Sequence, residues 1–123
     1  MNVFYVGLGG FFGAIARYLV GGWVMNSGRF TFPLGTLIIN VTGSFILGLF
    51  FALAIERFTT GGFWRPFFAI GFLGAYTTFS TFSLETMNLV ESGSYFLAAA
   101  NILASVVFSL AGVYLGIVIG RNI

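Results

Sequence analysis

The chain contains no cysteine and no histidine. Disulfides, thiol chemistry and the usual transition-metal ligands are excluded on that ground. With no histidine, no nucleophile–base pair stands out, and an enzyme is not expected. Charge is almost as scarce: 7% of the 123 residues are charged, against about 25% in a soluble domain. So little charge cannot cover the surface of a water-soluble globule of this size. A net charge of +2, carried on scattered arginines, also argues against a nucleic-acid partner.

What remains is apolar. Hydrophobic residues make up 59% of the chain, and uncharged runs cover 30–55, 66–84 and 92–120. A further run from residue 1 to 28 is interrupted only by Arg17. Each run accommodates the ~20 residues of a membrane-crossing helix. The expectation is an all-α membrane protein, one transmembrane domain over 1–123, with helices near 3–25, 34–56, 64–90 and 94–120. The first segment lacks a basic leader and is followed by more spans, so it reads as a mature helix rather than a signal peptide. The connections are Asn26 to Pro33, Phe58 to Gly62, and Glu91-Ser92-Gly93. Such short loops join antiparallel neighbours and predict an up-down-up-down bundle with both termini on one side. Pro33 suits a helix start. Arg57, Arg65 and Arg121 would lie on the terminus side and Arg29 on the other. That bias is small under the positive-inside rule. It leaves open both a single orientation and insertion in both directions with antiparallel pairing.

Glycine recurs at four-residue spacing. Gly9, Gly13 and Gly21 share that rhythm with Arg17 in helix 1, and Gly112, Gly116 and Gly120 follow it in helix 4. Small residues at this spacing let membrane helices approach closely, within one chain or between copies.

Polar groups at membrane depth need partners or a water-filled cavity. The densest set is Thr77-Thr78-Phe79-Ser80-Thr81-Phe82-Ser83, five hydroxyls in seven residues. Gly71 and Gly74 stand just upstream, which favours a helix broken in mid-span. Freed carbonyls at a break could hold a hard cation. Phe79 and Phe82 share a helix face. They are either core packing or a pair of rings whose positive edges meet an anion. Asn40 lies between Thr36 and Ser44, and its amide is either an interhelical tie or a donor to a passing anion. Asn101, Ser105 and Ser109 form one polar stripe; Thr77, Thr81 and Glu85 form another. Arg17 either collects anions in a vestibule or snorkels to the headgroups.

These residues together resemble the CrcB/Fluc family of fluoride channels. Gly71-Phe72-Leu73-Gly74 followed by Thr77-Thr78-Phe79-Ser80-Thr81-Phe82-Ser83 and Glu85 is similar to that family's helix 3 signature. Gly35-Thr36-Leu37-Ile38-Ile39-Asn40 resembles its helix 2 motif, and Gly13-Ala14-Ile15-Ala16-Arg17-Tyr18 its helix 1 motif. The resemblance implies an antiparallel, dual-topology homodimer with two pores in the cell inner (plasma) membrane, passing fluoride passively and selectively. It implies that Phe79, Phe82, Asn40, Ser80 and Thr81 line the fluoride pore. Glu85, Ser105, Ser109 and Asn101 would form a polar track, and Arg17 a vestibule. It also implies a structural sodium ion (Na+) at the dimer interface, held by the backbone carbonyls of Gly74 and Thr77. Two departures stand out: Ala75, where the family often has glycine, and Asn101, where it often has tyrosine. Two other readings compete. A small multidrug exporter has the same size but depends on an acid in helix 1, where this chain has Arg17. A non-transporting assembly subunit would have little use for so many buried hydroxyls.

Overall fold

The computed structural model describes residues 2–28, 31–57, 62 and 64–123, with the backbone alone at 55–57. Arg29 of the first connection and Phe58, Thr59, Thr60 and Gly61 of the second lie outside the described residues. Among the described residues, four helical segments are long and apolar enough to cross a membrane: Asn2–Asn26, Leu34–Ala54, Arg65–Glu91 and Tyr95–Asn122. We label α1 Asn2–Asn26, α2 Leu34–Phe50 with a π-helical extension Phe51–Arg57, α4 Phe79–Glu91 and α5 Tyr95–Asn122. The segment α3 covers 65–76 as a π-helical stretch Arg65–Leu73 and an α-helical turn Gly74–Tyr76.

Large apolar side chains face outward, while the interior mixes apolar residues such as Ile39, Leu73 and Leu89 with small and polar ones. Val3, Phe11, Trp23, Phe96, Leu103 and Leu110 are exposed, while Thr36, Thr86, Asn101 and Ser105 are buried. A helix surface of this kind suits hydrocarbon, where the outward face gains nothing from charge.

Two glycine seams hold the bundle. A Cβ on Gly9 or Gly13 would run into the carbonyls of Phe67 or Phe72, so α1 and α3 touch backbone to backbone. On the other side, Gly48 faces the Val113 carbonyl and Gly116 the Phe45 carbonyl, joining α2 to α5 in the same way. Both stripes seen in the sequence are therefore used inside one chain. Without a water-driven hydrophobic effect, such close contact is what membrane helices gain by packing. Aromatic rings fill in along α3: Phe68, Phe72 and Tyr76 stack nearly parallel, with centroids 5.5 and 6.2 Å apart.

Short connections close the fold. Pro33 directly precedes α2. Between α4 and α5, Gly93 takes a φ of 83°. The Ser94 amide bonds back to the Leu89 carbonyl at 2.8 Å and the Gly93 amide to Val90 at 3.0 Å. This paired reverse bonding is the glycine helix stop, which needs a residue free to adopt left-handed φ.

Candidate functional site

The third span does not stay helical. Thr77 (φ −81°, ψ 155°) and Thr78 (φ −149°, ψ 118°) are both extended between the end of α3 and the start of α4. Gly43 of α2 makes room for them. A Cβ there would collide with the Thr77 methyl and come within 3.1 Å of the Tyr76 ring.

The extended pair is tied down on several sides. Asn40 of α2 accepts from the Thr78 amide through Oδ1 at 2.8 Å and donates from Nδ2 to the Thr78 carbonyl at 3.0 Å. Its side-chain amide thus pairs with the N–H and C=O of one residue as a neighbouring strand would. An asparagine NH2 carries two donors, so one N–H remains beyond this clasp. Thr78 Oγ1 accepts from the Thr81 amide at 3.2 Å and caps α4. Arg17 Nε donates to the Ala75 carbonyl at 3.0 Å, so α1 supplies a cation to the C-terminal end of α3. Tyr76 shares a hydrogen bond with Thr42 at 3.0 Å.

These ties redirect the helix ladder. In an unbroken helix the Gly74 and Thr77 carbonyls would accept from the amides of Thr78 and Thr81. Here those amides bond to Asn40 Oδ1 and Thr78 Oγ1. The Gly74 and Thr77 carbonyls are therefore released from helical pairing. Gly74 is exposed, and a side chain added there would meet nothing closer than the Ala69 carbonyl at 4.0 Å. Two oxygen dipoles presented this way suit an alkali cation, which takes oxygen ligands.

Two cavities flank the extended pair and share Thr78. The first, about 440 Å³, is an open-sided cleft that includes Asn40, Ser44, Thr77, Phe79, Phe82, Ser105 and Ser109. Among the described residues, no charged one lines it. The Phe79 and Phe82 rings stand 5.5 Å apart, tilted by 46°. Phe82 is 9% exposed and Phe79 78% exposed, so one ring is fixed in the wall and the other stands at the open side. The second cavity, about 210 Å³, is more polar and includes Arg17, Thr36, Thr81 and Glu85. Glu85 Oε1 is buried there without a hydrogen-bond partner.

The remaining sequence candidates separate. Ser80 is exposed and lines neither cavity. Asn101 is 1% exposed, lies outside both cavities, and donates to Thr86 Oγ1 at 2.9 Å. Ser105, the next residue of its stripe, donates to Asn101 Oδ1 at 3.4 Å while also lining the cleft. Thr86 was not singled out from sequence. Its place at the α4–α5 contact is set by a neighbour fifteen residues away, which no local pattern marks.

The family model described as CrcB-like protein, Camphor Resistance (CrcB), matches residues 4–117. Curated relatives carry the name "Fluoride-specific ion channel FluC". The one from Coxiella burnetii (strain CbuK_Q154) is 48% identical over 124 residues, covering all of both chains. The one from Magnetococcus marinus is 48% identical over 123 residues, again covering both completely. A "Fluoride-specific ion channel FluC 1" from Methanosarcina acetivorans is 45% identical, covering 99% of this chain and 92% of its own.

Proposed function

The chain belongs to the CrcB family, and from that premise we propose that it is a fluoride-selective passive channel working as an antiparallel homodimer. The observation that carries this reading is the cleft beside Thr77 and Thr78. Two phenyl rings, hydroxyls and the Asn40 amide line it, and no charged side chain among the described residues does.

Fluoride is small and holds its water tightly, so a wholly apolar passage would exclude it. A fixed cation would bind it too well to let it leave. Conduction needs binding strong enough for entry and weak enough for exit. Phenyl edges carry partial positive charge, and Phe79 and Phe82 present them on one side of the cleft. The second N–H of Asn40 meets the ion from α2, with the first already engaged by Thr78. Thr81 adds its hydroxyl from the second cavity, and Ser80, exposed on this chain, joins the lining once a second copy closes the cleft. Glu85, Ser105 and Ser109 continue it as a polar track, with Asn101 behind Ser105. Arg17 and the polar second cavity serve as the vestibule in which the anion first gathers.

The open side of the cleft and the exposed Phe79 ring support assembly with a second, oppositely inserted copy, which closes each of two pores. The released carbonyls of Gly74 and Thr77 fit a structural sodium ion shared by the two copies. When bound, that ion supplies positive charge that ties the two extended pairs together. The protein sits in the inner (plasma) membrane. Fluoride leaves the cell down its own gradient, and an inside-negative potential helps any anion outward.

The test is fluoride-electrode efflux from proteoliposomes of purified protein, with chloride as control. Rapid fluoride release with chloride retained is expected. Equal release of both ions, or of neither, overturns the reading.

A further inference from the structure

We propose that Asn101 is a positioning residue that sets the place of the Phe82 ring through Thr86; this rests on the reading of Phe82 as part of a pore. Asn101 itself does not face the cleft. It is among the most completely buried side chains of the molecule, at 1% exposure. A buried amide is costly unless bonded, and here both ends of it are.

The bonds form a directed relay. Thr86 Oγ1 donates its single proton to the Phe82 carbonyl at 2.8 Å. It can therefore only accept from Asn101 Nδ2, which reaches it at 2.9 Å. Asn101 Oδ1 in turn accepts from Ser105 at 3.4 Å. Every donor points the same way, and the last acceptor is the peptide that carries the Phe82 side chain. Hydrogen bonds arranged head to tail in a low-dielectric interior strengthen one another.

The location gives the relay its leverage. Of α4, only Phe82, Thr86 and Leu89 are buried. Two of these three belong to the relay. A threonine bonding back to the carbonyl four residues earlier also bends a helix locally. Asn101 fixes that threonine from α5, and so fixes the helix turn on which Phe82 stands. Ser105 joins the relay to the cleft wall, so the same chain of bonds touches the cleft at both ends.

The test uses the full chain with para-fluorophenylalanine placed at position 82. Fluorine NMR of the purified protein is expected to show one narrow line, shifted and broadened by Asn101→Leu and by the near-isosteric Thr86→Val, and retained by Thr86→Ser. In fluoride efflux, Asn101→Leu and Thr86→Val are each expected to lose roughly tenfold, the scale of one buried hydrogen bond. On a Phe82→Ile background, Asn101→Leu is expected to cost less than about twofold more, because the two changes act through one group. An unshifted fluorine line in Thr86→Val, or a full tenfold loss that persists without Phe82, overturns the proposal. Wild-type protein that passes no fluoride overturns the pore reading instead, and the fluorine line still judges the relay.

Discussion

From Arg65 to Tyr76 the third span lies backbone against backbone on α1, while from Phe79 to Glu91 it rests on a narrow buried stripe and a few polar bonds. The first half makes contact where glycine leaves no room for a side chain. The second half is placed by side chains that reach it from other helices: Asn40 to Thr78, Asn101 to Thr86. Steric seams are unforgiving and fix a position once. Polar ties are modest singly, about 0.6 kcal/mol on average and up to about 1.7 for an interhelical bond in a membrane protein, but they can aim a ring. The span thus has one half placed by close backbone contact and one half placed by polar side chains beside the cleft.

Substitutions can break this contrast. The largest effect is expected from Gly13→Leu, which forces a side chain into the Phe72 carbonyl. Overpacking costs about 1–3 kcal/mol and more where only backbone faces it. Loss of the monodisperse peak on size exclusion in detergent is expected. A well-folded Gly13→Leu protein would show that the seam is softer than its geometry.

Next comes Asn40→Ala, which strips both bonds from Thr78 and the donor from the cleft. Fluoride efflux is expected to fall on the order of a hundredfold, since two part-buried peptide groups lose their partner and the cleft loses its amide donor. Folding is expected to survive, because α2 keeps its seam with α5. Undiminished flux would mean the extended pair holds itself.

Phe79→Ile and Phe82→Ile are expected to reduce efflux by roughly tenfold or more, because an aliphatic side chain has no positive ring edge to offer the ion. Size exclusion is expected to be unchanged. Arg17→Leu removes the Ala75 cap, and thermal unfolding in detergent is expected to report a loss of about 1 kcal/mol. Smallest is Ser83→Ala. Its hydroxyl bonds to the Phe79 carbonyl of its own helix at 3.0 Å, and a change within about 0.5 kcal/mol in the same unfolding assay is expected. A large effect there would place the polar control of α4 on the wrong residues.

Much of this was legible in the sequence, and what was not has a common cause. The four spans could be read because apolar length is a local signal. The extended residues Thr77 and Thr78 fall inside the hydroxyl run that follows Gly71 and Gly74, again a local pattern. The partners of those residues could not be read. Asn40 meets Thr78 across 38 positions and Arg17 meets Ala75 across 58, and no periodicity links them. Sequence allowed the glycine stripes to face a neighbour in the same chain or another copy; the Phe67, Phe72, Val41 and Phe45 carbonyls settle this in favour of the same chain. The π-helical turns at Phe51–Arg57 and Arg65–Leu73 left no compositional trace. Asn101 stood out as one step of a polar stripe, yet its burial and its bond to Thr86 depend on α4 lying beside it.

The glycine seams also divide the chain by how freely it can change. Positions such as Gly9, Gly13, Gly48 and Gly116 admit a single occupant, since any added carbon meets a carbonyl. The outward rings and aliphatics, Phe11, Trp23, Phe96 and Leu103 among them, meet no such wall inside the chain. A saturation library scored for folded protein should therefore resolve into two populations, with intolerant notches every fourth residue along the seams and wide latitude outside them.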